Sequence, residues 1–303
     1  MDARAAKRRT YSAGEVIRDL SGQNRELGDG FSVARVLPQA NARTVGPFVF
    51  FDYFGPVEFK PGNGIDVRPH PHIGLATITY LFEGSQVHRD TLGNNQEILP
   101  GDVNWMTAGR GIAHSERTGT EVRARGHRMH GIQSWVGLPK AHEDDPPSFQ
   151  HVEKAKLPFL EHDGVAMRIV CGKAYGHEAP VKVPMEIFYV DAVMKDGSSL
   201  TLPPDYDERG VMIVGGRIET EGQSLGDGGM IVFDKGEHAE ISAMGDSRVM
   251  LLGGAPLDGE RHVWWNFVSS SRARIDQAKA DWTAMKFGTI PGDDKEFIPL
   301  PEH

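Results

Sequence analysis

Residues 100–116 read PGDVNWMTAGRGIAHSE, a short apolar segment between two Gly-containing turns that leads into a His-Ser-Glu motif. A second motif of the same spacing, His-Pro-His, lies upstream at residues 70–72. On a β-strand, side chains at i and i+2 point to the same face, so each motif presents two metal-capable side chains together. The glycines at 109 and 111 allow a sharp turn that directs the second motif inward. The two motifs therefore predict a metal site inside a β-barrel.

A bound metal is the reason to expect these side chains to face inward. One His-x-His pair alone is weak evidence, because exposed histidines at alternating positions are common. Two such motifs are stronger evidence, since burying three imidazoles and a carboxylate without partners would cost roughly 1–3 kcal/mol for each group. Nitrogen and oxygen ligands without a thiolate are compatible with Fe(II), Mn(II), Co(II), Ni(II), Cu(II) or Zn(II). Four protein ligands in octahedral geometry would leave two positions open, for a substrate oxygen and O₂.

Short apolar or alternating segments separated by turns run through most of the chain. This pattern is typical of an all-β sandwich or barrel. In the first half the segments predicted as strands are residues 47–53, 76–82, 86–92, 103–106 and 130–136. In the second half they are residues 185–190, 211–214, 230–233 and 248–252.

The second half of the chain also resembles the first, which indicates an internal repeat. Residues 101–106 are echoed at 228–233, and the His-Ser-Glu motif is echoed by His-Ala-Glu at 238–240. The expected counterpart of the first motif, around residues 206–216, contains no histidine, so a complete second site is not expected.

Domain limits and the end of the chain follow from composition and periodicity. The polar, Pro-containing stretch at residues 142–148 is the best candidate for a linker. We therefore expect an N-terminal metal-binding domain over residues 1–145 and a metal-free C-terminal domain over residues 146–303.

From Ser271 onward the apolar spacing becomes helical, with a serine as N-cap and Gly288 as the stop. The apolar positions of this predicted helix are Ile275, Ala278, Trp282 and Met285.

Composition excludes several classes of protein. The formal net charge of −9 disfavours direct nucleic-acid binding, and no apolar run is long enough to span a bilayer. The single cysteine, Cys171, excludes an intramolecular disulfide and suits the cytoplasm; its apolar neighbours predict a buried side chain rather than a nucleophile. The basic cluster at residues 4–9 is interpreted as a solvated tail. We expect a monomeric cytoplasmic protein.

Three further residues are candidates for the substrate pocket. His88 lies in an alternating segment and is either an outer neighbour of the metal or a solvated hairpin histidine. Gln133 and Trp135 share one face of a predicted strand, and they either line the cavity or, for Trp135, pack in the ordinary way against neighbouring strands. The sequence alone leaves these alternatives open.

The motifs as they stand resemble the pirin family of the cupin superfamily. The resemblance is carried by RPHPHIG at residues 68–74, by residues 100–116, and by QSWVGLP at residues 133–139. It extends over nearly the whole chain. It implies a bicupin, in which two antiparallel β-barrel (jelly-roll) domains face each other and only the N-terminal one holds a metal.

The resemblance also implies a ligand set. The implied ligands are His70, His72, His114 and Glu116. General cupins often carry a glutamate shortly after the His-x-His pair, whereas Ala76 and Thr77 stand there in this chain. Glu116 must therefore supply the carboxylate, as in pirin-like proteins.

Two functions are implied by the resemblance. Some members have quercetin 2,3-dioxygenase activity, which suggests Fe(II)-dependent attack of O₂ on a small flavonol-like aromatic substrate, with Glu116 as catalytic proton acceptor. Eukaryotic members act as iron-dependent transcriptional cofactors, which suggests the alternative of a redox-sensing regulatory protein that binds a transcription or metabolic partner. A third candidate is a metal-loaded cupin that acts on an unrelated small molecule.

Overall fold

The computed structural model describes residues 22–26, 32–40, 42–233 and 238–302. The basic cluster at residues 4–9 lies outside these ranges. Within them the chain is built mainly of antiparallel β-sheet, and no helix is long and apolar enough to cross a membrane.

The first unit is a jelly roll with one short helix after its ninth strand. Its elements are β1 (Gln23–Glu26), β2 (Ser32–Leu37), β3 (Phe48–Phe59), β4 (Asp66–His72), β5 (Leu75–Glu83), β6 (Gln86–Asp90), β7 (Asn95–Ile98), β8 (Val103–Thr107), β9 (Ile112–Arg117), α1 (Thr120–Arg125), β10 (His127–Gly137) and β11 (Ser148–Val152). One sheet has the order β1-β2-β3-β10-β5-β8-β11 and the other the order β4-β9-β6-β7. The inner strands, β3-β10-β5-β8 and β4-β9-β6-β7, form the eight-stranded jelly roll.

The second unit repeats this strand order. Its strands are β12 (Phe159–His162), β13 (Val165–Ala174), β14 (His177–Glu178), β15 (Ile187–Met194), β16 (Ser199–Thr201), β17 (Glu208–Gly215), β18 (Arg217–Thr220), β19 (Gln223–Gly226), β20 (Met230–Phe233), β21 (Glu240–Ala243) and β22 (Ser247–Gly254). Its sheets run β12-β13-β15-β22-β17-β20 and β16-β21-β18-β19, with β14 paired to β13. The prediction of two antiparallel jelly-roll domains is confirmed.

The internal repeat can now be matched strand by strand. The echoed segments fall on β8 and β20, which occupy the same place in their sheets. We expected the second-unit counterpart of the His-Pro-His motif near residues 206–216. This position was wrong, because these residues fall mainly on β17, the counterpart of β5. The counterpart of β4 is β16, whose three residues Ser199, Leu200 and Thr201 include no histidine. His238 and Glu240, the echo of the second motif, are both exposed.

The first sheet continues past the predicted domain boundary at residue 145. β11 pairs with β8, so the change from one sheet to the other lies after Val152. The predicted linker instead contains Glu143, a buried carboxylate that binds the C-terminal part of the chain.

The two units share a continuous core. Buried residues of the first large sheet, such as Phe48, join buried residues of the second, such as Tyr189, in a single apolar cluster. A polar contact crosses the same interface: the Tyr80 hydroxyl donates to Asp191 over 2.7 Å, and Arg248 binds that carboxylate through two nitrogens. Cys171 is fully buried in this core, and burial raises the pKa of its thiol.

The C-terminal segment returns to the first unit. It contains β23 (His262–Trp264), β24 (Phe267–Ser269) and α2 (Arg272–Thr283). The Ser271 side chain accepts a hydrogen bond from the Arg274 backbone N–H, as the predicted N-cap requires, and Ile275, Ala278 and Trp282 are buried. The helix ends earlier than predicted, because Met285 takes a left-handed conformation (φ 55°) and is exposed. The buried face of α2 packs against Ile73 and Ala113 of the first unit.

Gly74, two residues after the His-Pro-His motif, is in close contact with the C-terminal segment. Its φ is +68°, and a β-carbon there would stand 1.9 Å from the carbonyl oxygen of Val268. Ile73 forms a parallel bridge with Phe267. A glycine is therefore required both by the backbone angle and by the approach of β24.

Gly74→Ala is expected to destabilise the protein more than Gly93→Ala. Gly93 also has a positive φ (+88°) but has nothing within 4 Å, so alanine there carries only the backbone strain, about 1–3 kcal/mol. Alanine at 74 adds a collision with Val268. Urea unfolding of both variants measures the difference, and equal losses would contradict the close docking of β24.

Candidate metal centre

The two predicted motifs lie on neighbouring antiparallel strands. In the pairing of β4 with β9, His70 stands opposite His114. His72 lies two residues further along β4, so it points to the same side. The three imidazoles are buried, and one nitrogen from each lies within 4.8 Å of the others. This is the one such cluster found among the described residues.

Hydrogen bonds behind the three rings fix their tautomers. The Nδ1 atom of His70 lies 2.9 Å from the Arg68 carbonyl oxygen, and that of His72 lies 3.2 Å from the Asn266 carbonyl oxygen. A carbonyl oxygen only accepts, so both Nδ1 atoms carry the proton. The Nε2 atoms of these two histidines are then unprotonated lone pairs, the form that binds a metal.

His114 reaches the same state through a relay. His88 Nε2 lies 2.9 Å from the Asp90 carboxylate and therefore donates to it. In the neutral ring, His88 Nδ1 is then the acceptor for His114 Nδ1, 3.3 Å away. Burial works to raise the pKa of Asp90, but hydrogen bonds from His88 and Asn94 outweigh it and hold that pKa below its ordinary value. The carboxylate at the end of the relay thus orients His114 Nε2 inward.

The inward-facing nitrogens need a cation between them. The Nε2 atoms of His72 and His114 are only 3.1 Å apart. When both Nδ1 atoms carry protons, these Nε2 atoms are two lone pairs that face each other, which is repulsive unless a proton or a metal ion lies between them. The chemistry of the donor set therefore fits a divalent metal.

Burial keeps the three imidazoles uncharged. It lowers the pKa of His70 to about 4 and holds the pKa values of His72 and His114 well below their ordinary range, with mutual repulsion of the rings adding to the effect. Metal ligation requires neutral imidazole. The site is therefore in its ligating protonation state at neutral pH.

Glu116 lies in the wall of the adjacent cavity. It follows His114 at i+2 on β9 and is buried, but its carboxylate is not among the atoms of the three-histidine cluster. Burial raises its pKa to about 7, although a hydrogen bond with Gln86 works in the opposite direction. A carboxyl group with this pKa can both donate and accept a proton near neutrality.

The cavity beside the histidines has a volume of about 420 Å³ and is mainly apolar. This lies within the usual range for small-molecule sites. Its aromatic side chains are Phe50, Phe54, Trp135 and Trp265. Its polar groups are Arg35, Asp52, Gln86, Glu116, Gln133 and Asn266. An apolar lining with a small number of polar groups is typical of a small-molecule site.

One wall of the cavity is a stack that ends at a metal-capable histidine. The Arg35 guanidinium lies 4.2 Å from the centroid of Phe50, and Phe50 stacks on Trp135 at 4.0 Å. Trp135 in turn meets His72 edge-on at 5.1 Å. Arg35 is held by a two-pronged hydrogen bond to Asp52. The wall is thus a continuous series of contacts from Arg35 to His72.

The structure places the three pocket candidates differently. Gln133 and Trp135 both line the cavity, and Gln133 accepts a hydrogen bond from the Thr79 hydroxyl. His88 is buried, stacks on Phe149 at 4.4 Å and lies behind His114, so it is not a solvated hairpin histidine.

Sequence reasoning missed the outer partners of the histidines. The carbonyl groups of Arg68 and Asn266 carry no side-chain signature, so no motif could reveal them. Asn266 also comes from the far end of the chain, beyond the second jelly roll. Asp90, by contrast, stands at i+2 from His88, the same spacing as the two motifs, and could have been found by that signal.

Comparison with known proteins now settles the family. The Pirin family model matches residues 30–136, and the model of the Pirin C-terminal cupin domain matches residues 189–288. The chain belongs to the pirin family. A pirin-like protein of Caulobacter vibrioides is 49% identical over 286 residues, which cover 93% of this chain and 98% of that protein.

Several relatives carry the name of an enzyme. A Pseudomonas aeruginosa protein named provisionally as a quercetin 2,3-dioxygenase is 36% identical, over 88% of this chain and 84% of its own length. A crystal structure described as quercetin 2,3-dioxygenase from Acinetobacter baumannii superposes with a TM-score of 0.88 and is 34% identical, over 95% of both chains. The chain is therefore similar over most of its length to proteins named as quercetin 2,3-dioxygenases.

The metal-free protein is expected to lose stability as the pH falls from about 6.5 to about 4.5. In this window the three imidazoles stay neutral in the folded chain but take up protons on unfolding, where the pKa is about 6.5. The unfolded state then binds more protons, so each imidazole lowers the free energy of unfolding by up to about 1.4 kcal/mol per pH unit. Glu116 offsets one imidazole, since its folded pKa of about 7 lies above the ordinary 4.5.

The measurement is urea unfolding of metal-stripped protein across this pH range. The control is a triple variant, His70→Gln with His72→Gln and His114→Gln, whose stability should depend less steeply on pH. Parallel pH profiles for the two proteins would contradict the neutral, buried state of the imidazoles.

Proposed function

We propose that this pirin is a metal-dependent dioxygenase of flavonol-type substrates, with iron(II) as its metal. His70, His72, His114 and Glu116 are its ligands in this proposal. The observation that carries it is the 3.1 Å approach of the Nε2 atoms of His72 and His114, of which His72 lines an aromatic cavity. The names of the Pseudomonas and Acinetobacter relatives support the choice of substrate.

The chain's own residues supply three functions. When bound, a divalent metal would polarise a hydroxyl of the substrate and lower its pKa. Glu116, as a ligand or after partial release from the metal, would accept the proton of that hydroxyl at its carboxylate. Trp135 and Phe50 offer stacked ring surface to a flat substrate, and Gln133 offers a polar contact. The apolar lining excludes bulk water from the reacting atoms.

The donor set narrows the metal but does not select one element. Three neutral imidazoles and a carboxylate suit iron(II), and they also suit Mn, Co, Ni, Cu and Zn. Iron is preferred over zinc in the proposal because a redox-active metal can assist reaction with O₂, and over the other ions because the resemblance to the pirin family implies iron. Metal analysis of protein purified without oxygen, and reloading with each ion in turn, tests this preference.

His114→Ala is expected to abolish oxygen uptake in the presence of quercetin and to lower bound iron. The change removes one of three buried ligands and also ends the relay from Asp90. An oxygen electrode and metal analysis of anaerobically purified protein give the two readouts. His162→Ala, an exposed histidine on β12, is the matched control and should behave like the wild type. Full iron content together with full quercetin turnover in the His114 variant would contradict the proposal.

A redox-sensing regulatory role is the second candidate. The counterpart motif in the second jelly roll, His238 and Glu240, is exposed, and the described residues of that unit form no metal cluster. A unit without a metal site of its own suits contact with a protein partner. Iron-loaded protein that takes up no oxygen with quercetin, but retains a partner in one iron oxidation state only, would favour this role. Cytoplasmic location and a monomeric state remain predictions.

A further inference from the structure

A strained turn from the far end of the chain touches the metal centre. β23 and β24 form a hairpin in which Trp264 pairs with Phe267, so the turn consists of Trp265 and Asn266 alone. Trp265 has φ +50°. A bulky side chain in this left-handed region is strained by about 1–3 kcal/mol, and glycine is the residue that ordinarily occupies it.

Another two-residue hairpin turn of the chain has a glycine at one of its positions. The turn between β18 and β19 also has two residues, Glu221 and Gly222, with φ +49° and +73°. Its glycine relieves the strain at one of the two positions. The turn that faces the cavity has a tryptophan at its one positive-φ position, as the turn between β13 and β14 has Tyr175 at such a position, so turn geometry permits this residue without selecting it.

The contacts of this turn do explain its residues. The Asn266 carbonyl oxygen accepts the hydrogen bond from His72 Nδ1, and Trp265 and Asn266 both line the cavity. The turn therefore has two contacts with the site. The Asn266 backbone carbonyl lies behind His72, and the Trp265 ring lines the cavity.

The hairpin is held firmly in place. Glu143, in the loop between β10 and β11, accepts hydrogen bonds from the backbone N–H of Ser270 at 2.9 and 3.0 Å. The same carboxylate forms an ion pair of 2.6 Å with Arg261, whose side chain is only 2% exposed. Residues on both sides of the hairpin are thus fixed to the first unit, so the position of the Asn266 carbonyl is defined.

We propose that the Trp265-Asn266 turn is a positioning and specificity element of the metal site: the Asn266 carbonyl orients His72 for ligation, and Trp265 closes the cavity over the bound flavonol. The proposal rests on the metal site proposed above. It implies that residues after the second jelly roll complete a site whose ligands all come from the first. Metal affinity should therefore depend on the docking of the C-terminal hairpin.

Insertion of one glycine between Trp265 and Asn266 tests the positioning role. The insertion moves the carbonyl away from His72 without changing any ligand. The matched control is one glycine inserted between Glu221 and Gly222, in the two-residue turn of the second unit. Affinity is measured with Co(II) under anaerobic conditions, by chelator competition and by the visible spectrum of the bound ion, neither of which requires turnover.

The expected loss of Co(II) affinity is about 10–100-fold for the first insertion, the range found when an outer partner of a ligand is removed. The visible spectrum should change as well, whereas the control insertion should leave both unchanged. Wild-type affinity and spectrum in the first insertion variant would overturn this inference alone. Absence of Co(II) binding by the wild-type protein would overturn the proposed metal site and this inference with it.

Trp265→Gly tests the specificity role and remains informative should the insertion unfold the hairpin. Glycine accepts φ +50° without strain, so the backbone of the turn can keep its conformation although the ring's packing against Trp264 and Phe267 is lost. Co(II) affinity should be unchanged, while the anaerobic dissociation constant for quercetin should rise about three- to tenfold through loss of one ring contact. Unchanged quercetin binding would overturn the specificity role. A loss of Co(II) affinity here would show that the ring, rather than the carbonyl, supports His72.

Discussion

The structure of the site depends on where three imidazole protons lie. Each Nδ1 atom of His70, His72 and His114 has a partner behind the ring, and these partners leave the Nε2 lone pairs to converge. Two carbonyl groups and a relay that ends at Asp90 achieve this without any charged group inside the cluster. Burial then keeps the rings neutral. The hydrogen bonds of the Nδ1 atoms therefore leave the Nε2 lone pairs facing one another, and this arrangement suits a metal ion.

The two jelly rolls contribute to the site in different ways. The second jelly roll repeats the strand order of the first but has Ser199 and Thr201 on the strand that corresponds to the His-Pro-His motif. Its contribution to the site comes through the segment that follows it, which returns over Gly74 and supplies Asn266. The buried contact of Tyr80 with Asp191, together with the shared core, holds the two units in the relation that this return requires.

Much of the fold and the histidine cluster could be predicted from the sequence, because both follow from local patterns of side-chain spacing. The strand segments, the His-x-His and His-x-Glu spacing, and the helix with Ile275, Ala278 and Trp282 on its buried face are all local signals. The extra strand β11 and the docking of the C-terminal hairpin could not be predicted, since they depend on long-range pairing. Asn266 was missed because a backbone carbonyl has no sequence signature, and Trp265 because a left-handed tryptophan contradicts local preference. Glu116 was predicted as a fourth ligand; it lies in the cavity wall, and its place in the ligand set remains a proposal.

The most direct test is a crystal structure of the metal-loaded protein with anomalous scattering from the ion. We expect one strong peak in the first jelly roll, about 2.1 Å from the Nε2 atoms of His70, His72 and His114. The Nδ1 atoms should keep their bonds to Arg68, Asn266 and His88. An ion bound elsewhere, or ligated through Nδ1 after the rings have turned over, would contradict this expectation.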